Sequence, residues 1–205
     1  MSTLAKLYNS LQDVYDVNQQ VESCPEAIEE LAKLLFHHNL QQAYDIRLAH
    51  NHFNIDEGEA VVAFDGDGFN LSTQYGIKPQ PDGVLAATDF VISDDGEAMP
   101  YEFAYGRDIN PPRLEKNFLA AWSSILRSKG LSGSLGLAVQ EGSATGGHEM
   151  SDGDIRVNKL TFGGQAPNDQ DYATTSWRVI DDGDGTFITM KCLYCANTRQ
   201  RHKCG

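Results

Sequence analysis

Cys192, Cys195, His202 and Cys204 place four soft or borderline donor atoms within thirteen residues near the end of the chain. A Cys-x-x-Cys pair in a tight turn lets two thiolates converge on one ion about 2.3 Å away. His202 and Cys204 follow after a six-residue gap and complete Cys3His, a tetrahedral set used for structural zinc. Four protein ligands leave no open coordination position, so zinc held this way braces a fold and activates no substrate. Other readings suit the same residues. Cys192 and Cys195 can form a redox pair, although no helix start is evident beside them to lower a thiol pKa. They can also be buried as small hydrophobes, or the tail can fray unliganded.

His50 and His52 make a second candidate. On an extended segment residues i and i+2 share a face, so the two imidazoles can chelate one metal. On a continuing helix they point about 200° apart and cannot. Glu57 or Glu59 would then supply a carboxylate ligand or general base. The competing reading is a helix C-terminus carrying Arg47, His50 and His52, where cations complement the negative end of the dipole. His37 and His38 fit that explanation at the end of the preceding helix. The segment Leu48-x-His50-x-His52-Phe53, followed by Glu57-Gly58-Glu59 and an apolar strand, resembles a group of uncharacterised small proteins from filamentous fungi. The resemblance spans residues 25–64 and implies a source, with no activity attached.

Asp89 and Glu102 interrupt apolar runs, in Ala-Ala-Thr-Asp-Phe-Val-Ile and Tyr-Glu-Phe-Ala-Tyr. If both face a cavity they can work as general acid and base. Alternation instead sets Glu102 opposite Tyr101 and Phe103, on the solvent side, while Asp89 shares a face with Leu85, Ala87 and Val91. Asp65-Gly66-Asp67-Gly68 and Asp182-Gly183-Asp184-Gly185 lack the later ligands of a calcium loop and read as tight turns. Gly130-x-x-Gly133-x-x-Gly136 runs from helix into strand, the reverse of a phosphate loop, and reads as a connection. No serine-nucleophile or helix-borne metalloprotease motif is present.

The elements that must position these residues divide the chain in two. Leu4, Leu7, Tyr8, Leu11, Val14 and Tyr15 recur at helical spacing, and Ser23-Cys24-Pro25-Glu26 has the spacing of a capping box before Ile28, Leu31 and Leu35. Asn39 suits the left-handed stop of that helix, and a third helical stretch is expected over 40–50. Beyond Asn54, β-branched and aromatic runs alternate with Asp/Gly turns, which predicts strands at 59–64, 84–92, 99–105, 135–140, 155–162, 174–180 and 186–192. One helix interrupts them, entered at Asn110-Pro111-Pro112, striped by Leu114, Phe118, Trp122 and Ile125, and stopped at Gly130. Residues 141–153 read as a Gly/Ser-rich loop, either a lid or disordered. The expected fold is a single α+β domain: helices in 1–53 and one central helix on a mainly antiparallel sheet in 54–191, with a zinc-stapled tail at 192–205.

The chain has 205 residues, 29 acidic against 16 basic side chains, and a formal net charge of −13. That field repels phosphate backbones and anionic membrane surfaces, so neither nucleic acid nor membrane is expected as a partner. No apolar run approaches the roughly 18 residues of a membrane span, and the first residues lack a secretory pattern. A reducing, cytoplasmic setting follows, in which cysteines act as thiols or metal ligands. These features point to an intracellular zinc-binding protein that binds a protein or small-molecule partner. The alternative is an enzyme, metal-dependent or acid/base, with a pocket between helices and sheet that uses His50, His52 and a carboxylate.

Overall fold

The computed structural model describes residues 4–65, 71–77, 85–105, 110–140, 147–162, 172–183 and 187–197. The chain opens with α1 (Leu4–Ser10), the short strand β1 (Gln12–Asp13) and α2 (Val14–Glu22). The apolar stripe expected to run unbroken to Tyr15 is therefore split. Asp13 takes an extended conformation and accepts a hydrogen bond from the Tyr15 amide at 2.9 Å, capping α2. Helix α3 (Glu26–His37) starts at Pro25, and Ser23 closes α2 instead of opening a capping box. The helix buries Ala27, Ile28, Leu31, Ala32 and Leu35 and stops at Asn39, whose φ of 54° is the left-handed conformation expected there.

The next segment departs from expectation. Residues 44–51 are not helical: β2 (Tyr44–Leu48) and β3 (His50–Asn51) occupy them. Tyr44, Ile46 and Leu48 alternate with Asp45 and Arg47, a two-residue period that outweighs the helical reading. The strands β4 (Ala60–Asp65), β5 (Leu71–Ile77), β6 (Leu85–Ile92) and β7 (Ala98–Tyr105) follow. Then come α4 (Lys116–Ser128), β8 (Leu135–Val139), β9 (Gly147–Asp152), β10 (Val157–Phe162), β11 (Ala173–Asp181) and β12 (Phe187–Asn197). Helix α4 begins at the extended Glu115, five residues beyond the expected Asn110 cap. Strand β9 lies within the stretch read as a loop; residues 141–146 of that stretch are outside the described residues.

This is an α+β fold whose large mixed sheet closes into a barrel, in the order β10-β5-β4-β7-β6-β8-β2-β11-β12-β9. Its ladders are antiparallel except β4–β7 and β12–β9, which are parallel. The helices α2, α3 and α4 cover the outside of one side. Ile46, Leu48, Leu135, Leu137, Ile92 and Trp177 meet Leu31, Leu35, Phe118 and Trp122 there in one apolar core. Trp122 Nε1 donates to the Leu135 carbonyl at 3.2 Å, which ties α4 to β8. Among the described residues no helix is long and apolar enough to cross a membrane.

Because Ile46 and Leu48 face the helices, alternation turns Asp45 and Arg47 into the barrel. Register carries the inner face around. Arg47 lies opposite Gly136 and Gly136 opposite Val91, while Ala138 lies opposite Asp89 and Asp89 opposite Glu102. On the other side Ser151 lies opposite Asn158, and Glu149 opposite Cys195. The helix α1 packs against β3 and β7 and sets Tyr8 among Phe53, Val61, Val91 and Tyr101.

Candidate metal centre

Inside this barrel the structure gathers His50, His52, Glu149 and Cys195, one donor atom from each lying within 4.8 Å of all the others. Tetrahedral coordination at 2.0–2.3 Å separates ligand atoms by about 3.3–3.7 Å. A contraction of roughly an ångström, within the reach of side-chain torsions, would close the set around one ion.

The two histidines reach it because the chain is extended there. Leu48 ends β2, the Ala49 amide donates to the Ser134 carbonyl, and β3 pairs in parallel with β1. His50 and His52 thus share a face, with ring centroids 4.7 Å apart. His50 Nδ1 lies 2.8 Å from the Leu48 carbonyl, so it carries the proton and donates. That leaves the lone pair on His50 Nε2, an atom that is buried and without a hydrogen-bond partner. Burial, then the neighbouring His52 and Arg47, lower the His50 pKa to about 3 and keep the imidazole in its neutral, metal-binding form.

His52 is held from several sides. Its amide donates to Tyr8 Oη at 3.1 Å. Nδ1 lies 2.8 Å from Ser151 Oγ and 3.9 Å from Cys195 Sγ, and Nε2 lies 3.1 Å from Asn158 Nδ2 and 3.3 Å from Glu102 Oε1. An ion at Nδ1, beside the cysteine, would displace the proton from that nitrogen and leave one on Nε2, facing Glu102. A carboxylate behind a ligating histidine is the usual second layer of such centres. Burial opposes charge on His52, but Cys195, Glu102 and Glu149 outweigh it and hold its pKa well above the ordinary value. Burial raises the Cys195 thiol, and contact with His52 offsets part of that effect.

Glu149 is fully buried at 0% exposure. Burial would raise its pKa, but Arg47 and the two imidazoles prevail and lower it. Arg47 Nη2 donates to Glu149 Oε1 at 3.0 Å, and Arg47 Nε lies 3.1 Å from Asp89 Oδ1. Glu149 Oε2 has no hydrogen-bond partner. Asp89 rises to about 7 through burial, which the nearby guanidinium only partly offsets.

The charge count bears directly on function. Asp89, Glu102 and Glu149 are 7%, 1% and 0% exposed, and the cation within the group besides the histidines is Arg47. Three carboxylates face one guanidinium and the His52 imidazole, whose raised pKa favours its charged form. Asp89, at about 7, takes up a proton readily, so the balance of buried charge rests on protons at these groups. A divalent cation can supply the same balance. Among the buried polar atoms without a hydrogen-bond partner, His50 Nε2 and Glu149 Oε2 lie on two residues of the group of four, and Glu102 Oε2 lies on a carboxylate beside it.

The residues expected from sequence divide between this centre and elsewhere. His50 and His52 converge on it. Asp89 and Glu102 enter its surroundings, and here the placement of Glu102 on the solvent side is corrected. The β6–β7 pairing shifts register around Asp89, and Glu102 is buried with its Oε1 3.3 Å from His52 Nε2. Glu57 is exposed, and Glu59 accepts from the Asp56 amide and pairs with Arg156, away from the group of four. Cys195 belongs to the barrel group, and Cys192 lies in the same strand, where the chain runs extended, not in the tight turn a Cys-x-x-Cys knuckle requires. His202 and Cys204 lie outside the described residues. Gly130 and Gly133 adopt positive φ in the connection from α4 to β8, and Gly183 turns β11 towards β12. Residues 66–68 and 184–185 of the two Asp-Gly turns are outside the described residues.

Sequence reasoning missed Glu149 and Arg47. In Gly147–Asp152 the buried positions Glu149 and Ser151 alternate with the partly exposed His148 and the exposed Met150. The two-residue period is present, but its inward side is polar, so hydropathy gives it no contrast. Comparison with protein-family models, with curated proteins and with solved structures finds no match to this chain.

Proposed function

We propose that the chain binds one divalent transition-metal ion, zinc by preference, inside the barrel through His50 Nε2, His52 Nδ1, Glu149 Oε2 and Cys195 Sγ. The observation that carries this reading is that two residues of the group of four each hold a buried ligand-type atom without a hydrogen-bond partner, His50 Nε2 and Glu149 Oε2. Leaving such groups unsatisfied costs about 1–3 kcal/mol each, more when charged, and an ion satisfies both at once. A set of nitrogen, oxygen and thiolate donors suits zinc and not magnesium or calcium. All four positions come from the protein, so the ion's first role is to cross-link β3, β9 and β12 within an intracellular binding module. This proposal shares zinc with the expectation from the tail but draws on a different ligand set; His202 and Cys204 of the tail set lie outside the described residues. Cys195 can serve the barrel or a tail site, not both.

Metal analysis of the purified chain tests this. One equivalent of zinc is expected, lost in Cys195→Ser and reduced in His50→Gln and Glu149→Gln, but retained in Cys192→Ser and Cys204→Ser. The opposite pattern, with loss in the Cys192 and Cys204 variants and retention in His50→Gln, would place the ion at the tail set Cys192, Cys195, His202 and Cys204. A metal-dependent enzyme is the second reading. Asp89, with its pKa raised to about 7, has the proton affinity of a general acid or base at neutral pH. It requires an exchangeable position on the ion, which binding of azide or cyanide to the cobalt-loaded protein would reveal.

A further inference from the structure

Glu149 has two carboxylate oxygens in different circumstances. Oε1 accepts from Arg47 Nη2 at 3.0 Å, while Oε2 has no hydrogen-bond partner. Arg47 itself is fixed. Its side chain is 4% exposed and its Nε lies 3.1 Å from Asp89 Oδ1. Its backbone sits in β2 between β8 and β11, opposite Gly136 and Ser176. For both Glu149 oxygens to turn onto one ion, Oε1 would have to share its lone pairs between the ion and Arg47 Nη2, which would bring a second cation up to the buried guanidinium.

Resting on the reading that the barrel holds one divalent ion, we propose that Arg47, braced by Asp89, restricts Glu149 to one coordinating oxygen and so selects four-coordinate ions, zinc and cobalt(II), over manganese(II) and magnesium. The donors then number two imidazole nitrogens, one carboxylate oxygen and one thiolate. Zinc accepts that set as it stands. Magnesium and manganese favour six oxygen-rich positions, and a carboxylate that could offer a second oxygen would move the centre towards them. Arg47 touches no ion in this scheme; it is a positioning residue that acts through Glu149.

The test uses the full chain, stripped with a chelator and titrated with cobalt(II), with zinc and manganese(II) as competitors. The wild type is expected to show the intense visible absorption of tetrahedral cobalt with a thiolate charge-transfer band. Arg47→Gln is expected to weaken that absorption towards the five- or six-coordinate type and to lower zinc affinity about tenfold or more, the usual effect of losing an outer-layer partner, with a smaller loss for manganese(II). Asp89→Asn frees Arg47 while nearly preserving shape, and it should shift both readouts the same way by less. It decides the matter if circular dichroism shows Arg47→Gln unfolded. A wild-type spectrum of high coordination, or folded variants with unchanged spectrum and preference, would overturn the selection role while leaving the metal centre standing. A wild type that takes up neither cobalt nor zinc would remove the metal centre itself, and this role with it.

Discussion

Gly136 sits where the barrel wall is tightest, and replacing it with alanine gives a sharp test of how the wall positions the centre. A Cβ at this position would lie 1.9 Å from the Phe90 carbonyl oxygen and 3.2 Å from the Val91 Cα. The obstacle is backbone of the neighbouring strand, so no side chain can rotate away. Ordinary contact needs about 3.2 Å, so β6 and β8 must separate by roughly 1.3 Å. Strands spaced about 4.8 Å apart with hydrogen bonds near 2.9 Å lose those bonds when stretched that far. Two ladder bonds at about 1 kcal/mol each, with about 1–3 kcal/mol of packing strain, give a loss of roughly 3–5 kcal/mol. For a chain of this length, about 2–4 °C per kcal/mol corresponds to a melting temperature lower by on the order of 10 °C. The consequence reaches the centre, because Asp89 on β6 lies opposite Ala138 on β8, and Arg47 lies opposite Gly136 itself. Urea unfolding of Gly136→Ala against wild type measures the stability change, and cobalt titration measures the effect on the site. A variant within 1 kcal/mol of wild type and with unchanged cobalt affinity would refute the close approach and the reasoning built on it.

Two further outcomes follow from the same packing. Trp122→Ala empties the centre of the outer core, where Trp122 is fully buried and donates to the Leu135 carbonyl, and should cost about 3–5 kcal/mol in denaturant unfolding. Its metal stoichiometry should stay at one, since the tryptophan lies on the outer side of the wall. Tyr8→Phe removes the acceptor of the buried His52 amide and should cost about 1–3 kcal/mol. Hydrogen exchange at the His52 amide should quicken by tenfold or more, whereas an unchanged rate would mean that α1 does not hold that segment.

Local patterns carried much of the architecture. Period-two alternation with Asp/Gly turns placed β6, β7, β8, β10 and β11 close to their observed bounds, because each of these strands alternates or buries apolar residues over its length. The helical stripe of α3 and its stop at Asn39 were equally legible, since a left-handed residue and an i, i+4 repeat are properties of a short segment. The strand β2 was misread because Arg47 and the histidines looked like the cationic end of a helix. Their polarity belongs to the barrel interior, a surface that exists only once the sheet closes.

What the sequence determined by itself is the kind of donor: two histidines at i and i+2, thiols, and carboxylates in apolar runs. What tertiary structure decided is which of them meet. His52 contacts Ser151 across 99 positions and Cys195 across 143, and Arg47 reaches Glu149 across 102. No periodicity within a strand records such distances, because facing is a local property while partnership depends on the order in which strands close the ring. The tail spacing of cysteines therefore suggested a metal, whereas the barrel supplied a different neighbourhood for Cys195.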